Sequence, residues 1–259
     1  MATSPPAGRS RSMGTRMRWA ILVTTLFCAG SALAQHPPGS ERVDMQLVLA
    51  IDGSTSIDGG LFEFQLQGHA AAFRDLKLVE AITAGSGGIA VTVALWSDPA
   101  TFRILVPWTV VSDRSSATGL AAAIDAVPRR PLQGSTGIGA ALLNAADLFQ
   151  RGGNAAPHRV IDIVSNGYNN IGIAPQAARE RVVAQGITIN GLVILDEVPW
   201  LAEYFATQVI GGPSAFVTVA DTPDAFRRAI LDKLVQEITD NGNAGNRPAS
   251  VRTAEGVQR

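Results

Sequence analysis

The chain has 259 residues, of which 46% are hydrophobic and 17% are charged, a globular balance that can fill the core of one domain with tails. The formal net charge is −1 and no basic patch stands out, which argues against a nucleic-acid partner.

Residues 1–34 are predicted to be a secretory signal peptide. Four arginines without an acidic residue precede an apolar run at 20–29, and the sequence ALA at 32–34 is a small-x-small cleavage site. The run is short for a membrane span. Cleavage removes the four arginines and leaves 17 basic against 22 acidic residues, a net charge of −5. We therefore expect a periplasmic or secreted protein, with no membrane span in the mature chain.

The only cysteine, Cys28, lies inside the predicted signal peptide, so the mature chain would hold no thiol and no disulfide. A lipoprotein anchor on Cys28 is the alternative interpretation. Phe27 stands where such anchors usually have a small residue, and this favours ordinary cleavage.

The predicted elements begin after a Pro/Gly linker at 35–42. Apolar runs predict strands at 43–51, 89–96, 102–111, 159–164, 187–195 and 215–220. Helical spacing predicts helices at 61–84, 115–127, 134–150, 175–185, 199–210 and 222–238. From residue 239 the composition changes to Asn, Gly, Pro, Arg and Ser, so we expect a disordered C-terminal tail over 239–259.

Strands that alternate with helices predict an α/β fold over 43–238, a three-layer sandwich with a mostly parallel central sheet and helices on both faces. The runs at 89–96 and 102–111 are close enough to form a hairpin. Pro107 within the second run favours an edge position, which makes it the one antiparallel edge strand.

Polar residues follow the first predicted strand at alternate positions: Asp52, Ser54 and Ser56. Open α/β sheets bind ligands at the carboxyl ends of their strands. One carboxylate and two hydroxyls in one tight loop form half of an oxygen-lined cage of the kind that magnesium prefers. The alternative is a strand end whose Asp and Ser only cap the turn and the next helix.

Two further loops are expected at the same edge of the sheet, because right-handed crossovers bring the strand-to-helix loops together. Thr136 lies between glycines at a predicted helix start, where the alternative role is an N-cap. Asn166 lies in Ser-Asn-Gly after the strand 159–164, where the alternative is a plain turn.

This order of loops resembles the metal-ion-dependent adhesion site of von Willebrand factor A-type domains. The resemblance implies the α/β sandwich, a divalent cation, usually magnesium, bound by Ser54, Ser56 and Thr136, and Asp52 acting mostly through water. It also implies a protein partner whose acidic side chain completes the coordination. The family commonly has Asp where this chain has Asn166, so the cage should hold a cation more weakly.

A more specific resemblance covers 43–238. Besides the first strand, the segments that carry it are IAVTVALWS, VPWTVV, STGIGAAL, HRVIDIVSNGYNN, GITINGLVI and VIGGPSAFV. They look like a bacterial secreted family catalogued as domain of unknown function 1194, within the von Willebrand A superfamily. That family name implies no activity.

Three functions compete. The first is a cation-dependent protein-binding module, and the second is a scaffold whose metal site has decayed at Asn166 and which binds through another surface. The third is a hydrolase with Ser54 or Ser56 as nucleophile, which needs a positioned base. None of His36, His69 and His158 is expected at the site edge, and the Gly-x-Ser-x-Gly elbow is lacking. We therefore expect no enzyme.

Overall fold

The structure, a computed structural model, describes residues 42–152, 154–195, 198–240 and 250–253. Within them a seven-stranded sheet has the order β3-β2-β1-β4-β5-β6-β7. The strands are β1 Met45–Asp52, β2 Ile89–Trp96, β3 Phe102–Val111, β4 His158–Ser165, β5 Thr188–Ile194, β6 Phe216–Ala220 and β7 Ser250–Thr253. All neighbouring pairs are parallel except β2–β3. The predicted hairpin and its antiparallel edge strand are therefore confirmed.

Helices cover both faces of this sheet. They are α1 Gly59–Arg74, α2 Leu76–Thr83, α3 Arg114–Asp125, α4 Ile138–Phe149, α5 Pro175–Val183, α6 Leu201–Tyr204 and α7 Pro223–Asp240. A π-helical turn, Phe205–Val209, continues α6. Two separate hydrophobic cores result, one under α1, α2, α3 and α7 and one under α4, α5 and α6. The predicted three-layer sandwich is confirmed.

The central strand β1 is buried along its whole length, because its even and odd residues enter different cores. Leu47 and Leu49 pack on the α1 side, and Val48 and Ala50 pack on the α4 side. This explains why its sequence is a continuous apolar run. The run ends at Asp52, where the strand leaves the sheet between its two parallel neighbours.

The predicted helix 61–84 is two helices. Asp75 has an extended backbone and ends α1, and its side chain then accepts a 2.8 Å hydrogen bond from the backbone of Lys77 to begin α2. Aspartate is a strong N-cap because its carboxylate satisfies a free amide of the first turn. Apolar spacing continues across the break, and for that reason the periodicity alone did not reveal it.

The prediction of a disordered tail over 239–259 is wrong for the two parts of this segment that the structure describes, residues 239–240 and 250–253. Helix α7 continues to Asp240, and Ser250–Thr253 forms β7 beside β6. The backbone of Ser250 donates a 3.2 Å hydrogen bond to Ala215. Without β7, the strand β6 would be an edge with unpaired backbone groups, and a short segment of low apolar content can satisfy them. Residues 241–249 lie outside the described residues.

The predicted signal peptide over 1–34 and nearly all of the linker over 35–42 also lie outside the described residues. Within the described part of the chain, no helix combines the length and the apolar character that crossing a membrane requires.

Candidate functional site

The site is built on the carboxyl end of β1, where Asp52 lies fully buried. Asp52 Oδ1 accepts a 2.8 Å hydrogen bond from the backbone N–H of Ser54, and Oδ2 accepts a 2.5 Å bond from the hydroxyl of Ser165 at the end of β4. Burial raises the pKa of Asp52 to about 6, although these hydrogen bonds counteract part of the rise. The carboxylate is therefore held in one orientation, and no positive side chain among the described residues pairs with it.

A chain of hydroxyls leads from this carboxylate loop to β4. The hydroxyl oxygens of Ser54 and Ser56 are 3.2 Å apart. Ser56 Oγ donates a 2.8 Å hydrogen bond to Asn166 Oδ1, and Asn166 Nδ2 donates to the Ser56 carbonyl at 3.3 Å. Ser54 and Asn166 are buried, and Ser56 is exposed. The structure thus brings four of the five predicted site residues into one hydrogen-bonded network.

Thr136, the fifth predicted residue, precedes the first turn of α4 in a loop fixed to both neighbours. On one side Thr55 exchanges backbone and side-chain hydrogen bonds of 2.9–3.0 Å with Gly134. On the other, Asn170 accepts a bond from the Thr136 N–H at 2.9 Å and donates its own N–H to the Thr136 carbonyl at 3.0 Å. The positive φ of 131° at Gly134 is one that other residues rarely adopt.

The Thr136 side chain lies beside Gly167, where an added Cβ would be 3.7 Å from the Thr136 hydroxyl oxygen. Among the described residues, this hydroxyl makes no hydrogen bond. It is 5% exposed as a residue. Thr136 is therefore not the N-cap that the alternative interpretation required, since the residue before α4 is Gly137 and the helix has no side-chain cap.

Sequence reasoning did not predict the roles of Ser165 and Asn170. Ser165 holds the second oxygen of Asp52, and Asn170 fixes the Thr136 loop. The parallel register could have revealed Ser165, because Ile51 pairs with Val164 and the next residues along both strands must be neighbours.

No base accompanies the serines. His69 is fully buried, its Nδ1 lies 2.7 Å from the Gln65 carbonyl oxygen, and burial lowers its pKa to about 4. His158 begins β4 at the opposite end of the strand from Asn166. Within the described residues, neither histidine hydrogen-bonds to Ser54 or Ser56, so the network contains no arrangement for activating a serine nucleophile.

The possible ligands of the site are oxygen atoms, the type of ligand that a hard divalent cation prefers. Serine and threonine hydroxyls keep a lone pair when they donate a proton, and the Thr136 hydroxyl makes no hydrogen bond within the described part of the chain. Charge is the weak point, because Asp52 is the single carboxylate of the network. Within the described residues, no three His, Cys, Asp or Glu side chains form a group that could hold a metal ion. These residues therefore fit an oxygen-ligated, weakly bound ion and not a tightly held one.

The comparison with known families agrees with this architecture. Residues 42–242 match the family described as "Protein of unknown function (DUF1194)". The chain belongs to this family. Membership in DUF1194 confirms the more specific of the two resemblances seen in the sequence, and the match spans the whole sheet except β7. No curated protein matches the sequence significantly.

Solved structures similar to this DUF1194 chain share its fold. Proximal thread matrix protein 1 from the mussel byssus is 18% identical with a TM-score of 0.56, over 78% of this chain and 49% of the mussel protein. A second structure of it, with zinc in its MIDAS motif, has the same identity and TM-score over 76% and 48%. The pilus adhesin SpaC from Lactobacillus rhamnosus GG is 13% identical with a TM-score of 0.55, over 78% and 31%.

These similarities show a von Willebrand factor A-type fold, as predicted. The DUF1194 chain spans about half the length of the mussel protein and about a third of the adhesin. MIDAS stands for the metal-ion-dependent adhesion site, the motif that the loops of Asp52, Thr136 and Asn166 resemble in the sequence.

Proposed function

We propose that this chain is an exported binding module that contacts a protein partner through a divalent cation at the Asp52, Thr136 and Asn166 loops. The observation that supports this most is the network of Ser54, Ser56 and Asn166 above a buried carboxylate. It concentrates oxygen donors at the carboxyl end of β1, a central strand with parallel neighbours on both sides. The zinc in the MIDAS motif of the mussel protein supports the same idea.

The protein's own residues would divide the work. The hydroxyls of Ser54, Ser56 and Thr136 would bind the ion, while Asp52 and Asn166 orient them by hydrogen bonds or hold ion-bound water. A bound cation, with magnesium as the first candidate, would supply positive charge for an acidic side chain of the partner. Because the network offers one carboxylate, the cation would keep more net charge and depend more on the partner than in a site with two.

The rim of the site has the character of an interface. Three of the five exposed large hydrophobic residues among those described are Tyr168, Ile171 and Trp200, with exposures of 46%, 41% and 50%. Tyr168 and Trp200 have ring centroids 5.3 Å apart, and Tyr204 packs edge-on against both. Clustered exposed aromatic residues are enriched where proteins bind each other. Tyr168 follows Asn166 by two residues, so the patch borders the network.

Export rests on the sequence of residues 1–34. The pattern of arginines, apolar run and ALA cleavage site supports passage through the general secretory route to the periplasm or the exterior. In that setting millimolar divalent ions are available to a weak site, so low affinity does not exclude occupancy.

A decayed scaffold is the second candidate, and a specific observation favours it. Asn166 satisfies both its oxygen and its nitrogen on Ser56, at 2.8 and 3.3 Å, so the network closes without a cation. In this case the loops keep their shape by hydrogen bonds alone, and the aromatic rim or another surface binds the partner without a metal.

Calorimetric titration with magnesium, manganese and zinc tests the cation site. Thr136→Val should abolish the heat of binding with little effect on stability, because the lost hydroxyl makes no hydrogen bond among the described residues. Thr118→Val is the control, since Thr118 is exposed on α3 and its hydroxyl donates to the Arg114 carbonyl of its own helix. Absence of heat with the wild type at millimolar ion refutes the cation-dependent function and favours the scaffold.

Capture of the partner from an envelope extract then tests the binding step. The wild type should retain a protein in magnesium and release it in chelator, and Thr136→Val should fail to retain it in either condition. A protein retained equally by both forms of the chain, with and without chelator, contradicts binding through the ion.

A further inference from the structure

A second cluster of chemically active side chains lies in the core beneath α7, away from the loops described above. Lys233 and Glu237 extend from α7, and Asp162 extends from the middle of β4. Their exposures are 1%, 3% and 2%. Lys233 Nζ lies 2.7 Å from Asp162 Oδ1 and also contacts Glu237 Oε1, and the Phe216 ring centroid is 5.2 Å away.

The charges of this cluster do not balance. One ammonium faces two carboxyl groups, and the nearby His69 is neutral because burial lowers its pKa to about 4. An uncompensated charge in a protein interior is costly, so one carboxyl group holds a proton. Burial raises the pKa of Glu237 to about 7 although the Lys233 charge opposes it, and the Asp162 charge adds to the rise; burial also raises the pKa of Asp162.

Lys233 and Asp162 are close enough to react with each other as well as to form an ion pair. Lys233 Nζ is held 2.7 Å from Asp162 Oδ1 by the packing of α7 on β4. Because the carboxyl carbon is bonded to Oδ1 at about 1.2 Å, Nζ is at most about 4 Å from that carbon. This is close to the separation of about 3–3.5 Å that favours reaction between held groups.

The third member is placed to move protons. Glu237 Oε1 contacts Lys233 Nζ and accepts a 2.7 Å hydrogen bond from Asn190 Nδ2, while its Oε2 is buried without a partner in the described part of the chain. Asn190 Oδ1 in turn accepts a 3.1 Å bond from the Phe216 N–H. The carboxyl group is thereby fixed against the amine with one oxygen unused.

We propose that Lys233 and Asp162 become joined by an amide bond that the folded protein forms by itself. Proton transfer within the ion pair produces the neutral amine and the neutral carboxylic acid, which an apolar core favours over the charged forms. The lone pair of Nζ attacks the Asp162 carboxyl carbon and forms the C–N bond. The C–O bond to the hydroxyl then breaks, and its electron pair leaves with that oxygen.

Glu237 carries the proton between these two steps. Because Glu237 already holds a proton, it gives that proton to the departing hydroxyl, which leaves as one water molecule, and it takes a proton from the attacking amine in exchange. The reaction consumes no oxidant or other reagent, and the remaining cluster of one amide and one neutral carboxyl group is uncharged. A cavity of about 160 Å³, lined by Asn190, Phe216 and Glu237, borders the cluster and is large enough for the released water.

The bond would fasten α7 to the central sheet. The described residues contain no cysteine, so a disulfide cannot perform this task. A cross-link between residues 71 positions apart would restrict the unfolded chain in the way that a disulfide does.

Mass spectrometry of the full chain, expressed with its leader and purified from the envelope, tests the proposal. The mature protein should be one water molecule lighter than its sequence. Its tryptic digest should contain a branched peptide that joins residues 160–179 to residues 229–252, without cleavage after Lys233. Only this branched peptide counts as support, because succinimide formation at Asp-Gly also removes water.

Three variants complete the test. Asp162→Ala and Lys233→Met should have the full sequence mass, and Glu237→Gln should keep its circular dichroism but lose most of the branched peptide. A wild-type digest in which trypsin cleaves after Lys233 as completely as after the exposed Lys77 overturns the amide bond. If Glu237→Gln forms the branched peptide as completely as the wild type, the proton-transfer role of Glu237 is wrong. The Glu237→Gln result stands even where the other two variants fail to fold.

Discussion

Asn166→Asp is the substitution that most sharply tests the candidate cation site. In the structure Asn166 Nδ2 donates to the Ser56 carbonyl at 3.3 Å. A carboxylate at this position loses that donor and faces the carbonyl oxygen, with Asp52 as a second negative charge in the same network. A buried acceptor that loses its hydrogen-bond donor lowers the free energy of unfolding by about 1–3 kcal/mol. Without a cation we therefore expect an unfolding temperature lower by about 4–8 °C, taking about 2 kcal/mol for a domain of this size.

A divalent cation should reverse the sign of this effect. A unit charge pair 4 Å apart is worth about 4 kcal/mol at a protein surface before desolvation. Desolvation offsets part of this, so we expect a net gain of about 2 kcal/mol, which is more than tenfold in the Kd of the ion. Saturating magnesium should then raise the unfolding temperature of Asn166→Asp by more than it raises that of the wild type.

Differential scanning calorimetry of both proteins in magnesium and in chelator measures these quantities. Asn169→Asp is the matched control, because it adds the same charge to the same loop while its Oδ1 bond to the Gly139 N–H can persist. If Asn166→Asp loses no stability in chelator, or gains none with magnesium, the reasoning about Ser56 and the cation is refuted. An equal magnesium response of Asn169→Asp would show general charge screening instead.

Three further predictions follow from single contacts. Asp52→Ala should abolish any cation response in calorimetry and lower the free energy of unfolding by about 3 kcal/mol, because the Ser54 N–H and the Ser165 hydroxyl lose a charged acceptor; unchanged ion binding would place the site elsewhere. The His69 pKa is lowered from 6.5 to about 4, so the unfolded chain binds the extra proton as pH falls through 6.5. Relative to His69→Gln, the wild type should therefore lose about 3 kcal/mol between pH 6.5 and 4 in urea titrations, and a constant difference across that range contradicts a buried neutral imidazole. Gly139→Ala should lower stability by about 1–3 kcal/mol, since its Cβ would lie 2.3 Å from the Ile173 carbonyl oxygen, whereas Gly119→Ala, with open space around it, should raise stability by about 0.5–1 kcal/mol in the same denaturant series.

The fold was predictable because its signals are local. Continuous apolar runs such as 89–96 reflect strands buried on both faces, and Pro107 marked the edge of the sheet. The break at Asp75 was missed because apolar spacing persists across it. The strand Ser250–Thr253 was missed for a different reason: four residues of modest apolar content carry no strand signal, and pairing with β6 is a property of the assembled sheet.

Of the candidate site, the sequence by itself determined which residue types stand at three strand-to-helix loops, and their order along the chain. Only the tertiary structure decided how they meet: Ser165 fixes Asp52, Asn166 pairs with Ser56, and Thr136 keeps its hydroxyl unused. The physical reason is that these contacts join residues more than 100 positions apart. The register of parallel strands sets such distances, and no local pattern encodes them. Lys233 and Glu237 are one turn apart on α7, and the packing of α7 on the sheet placed them beside Asp162.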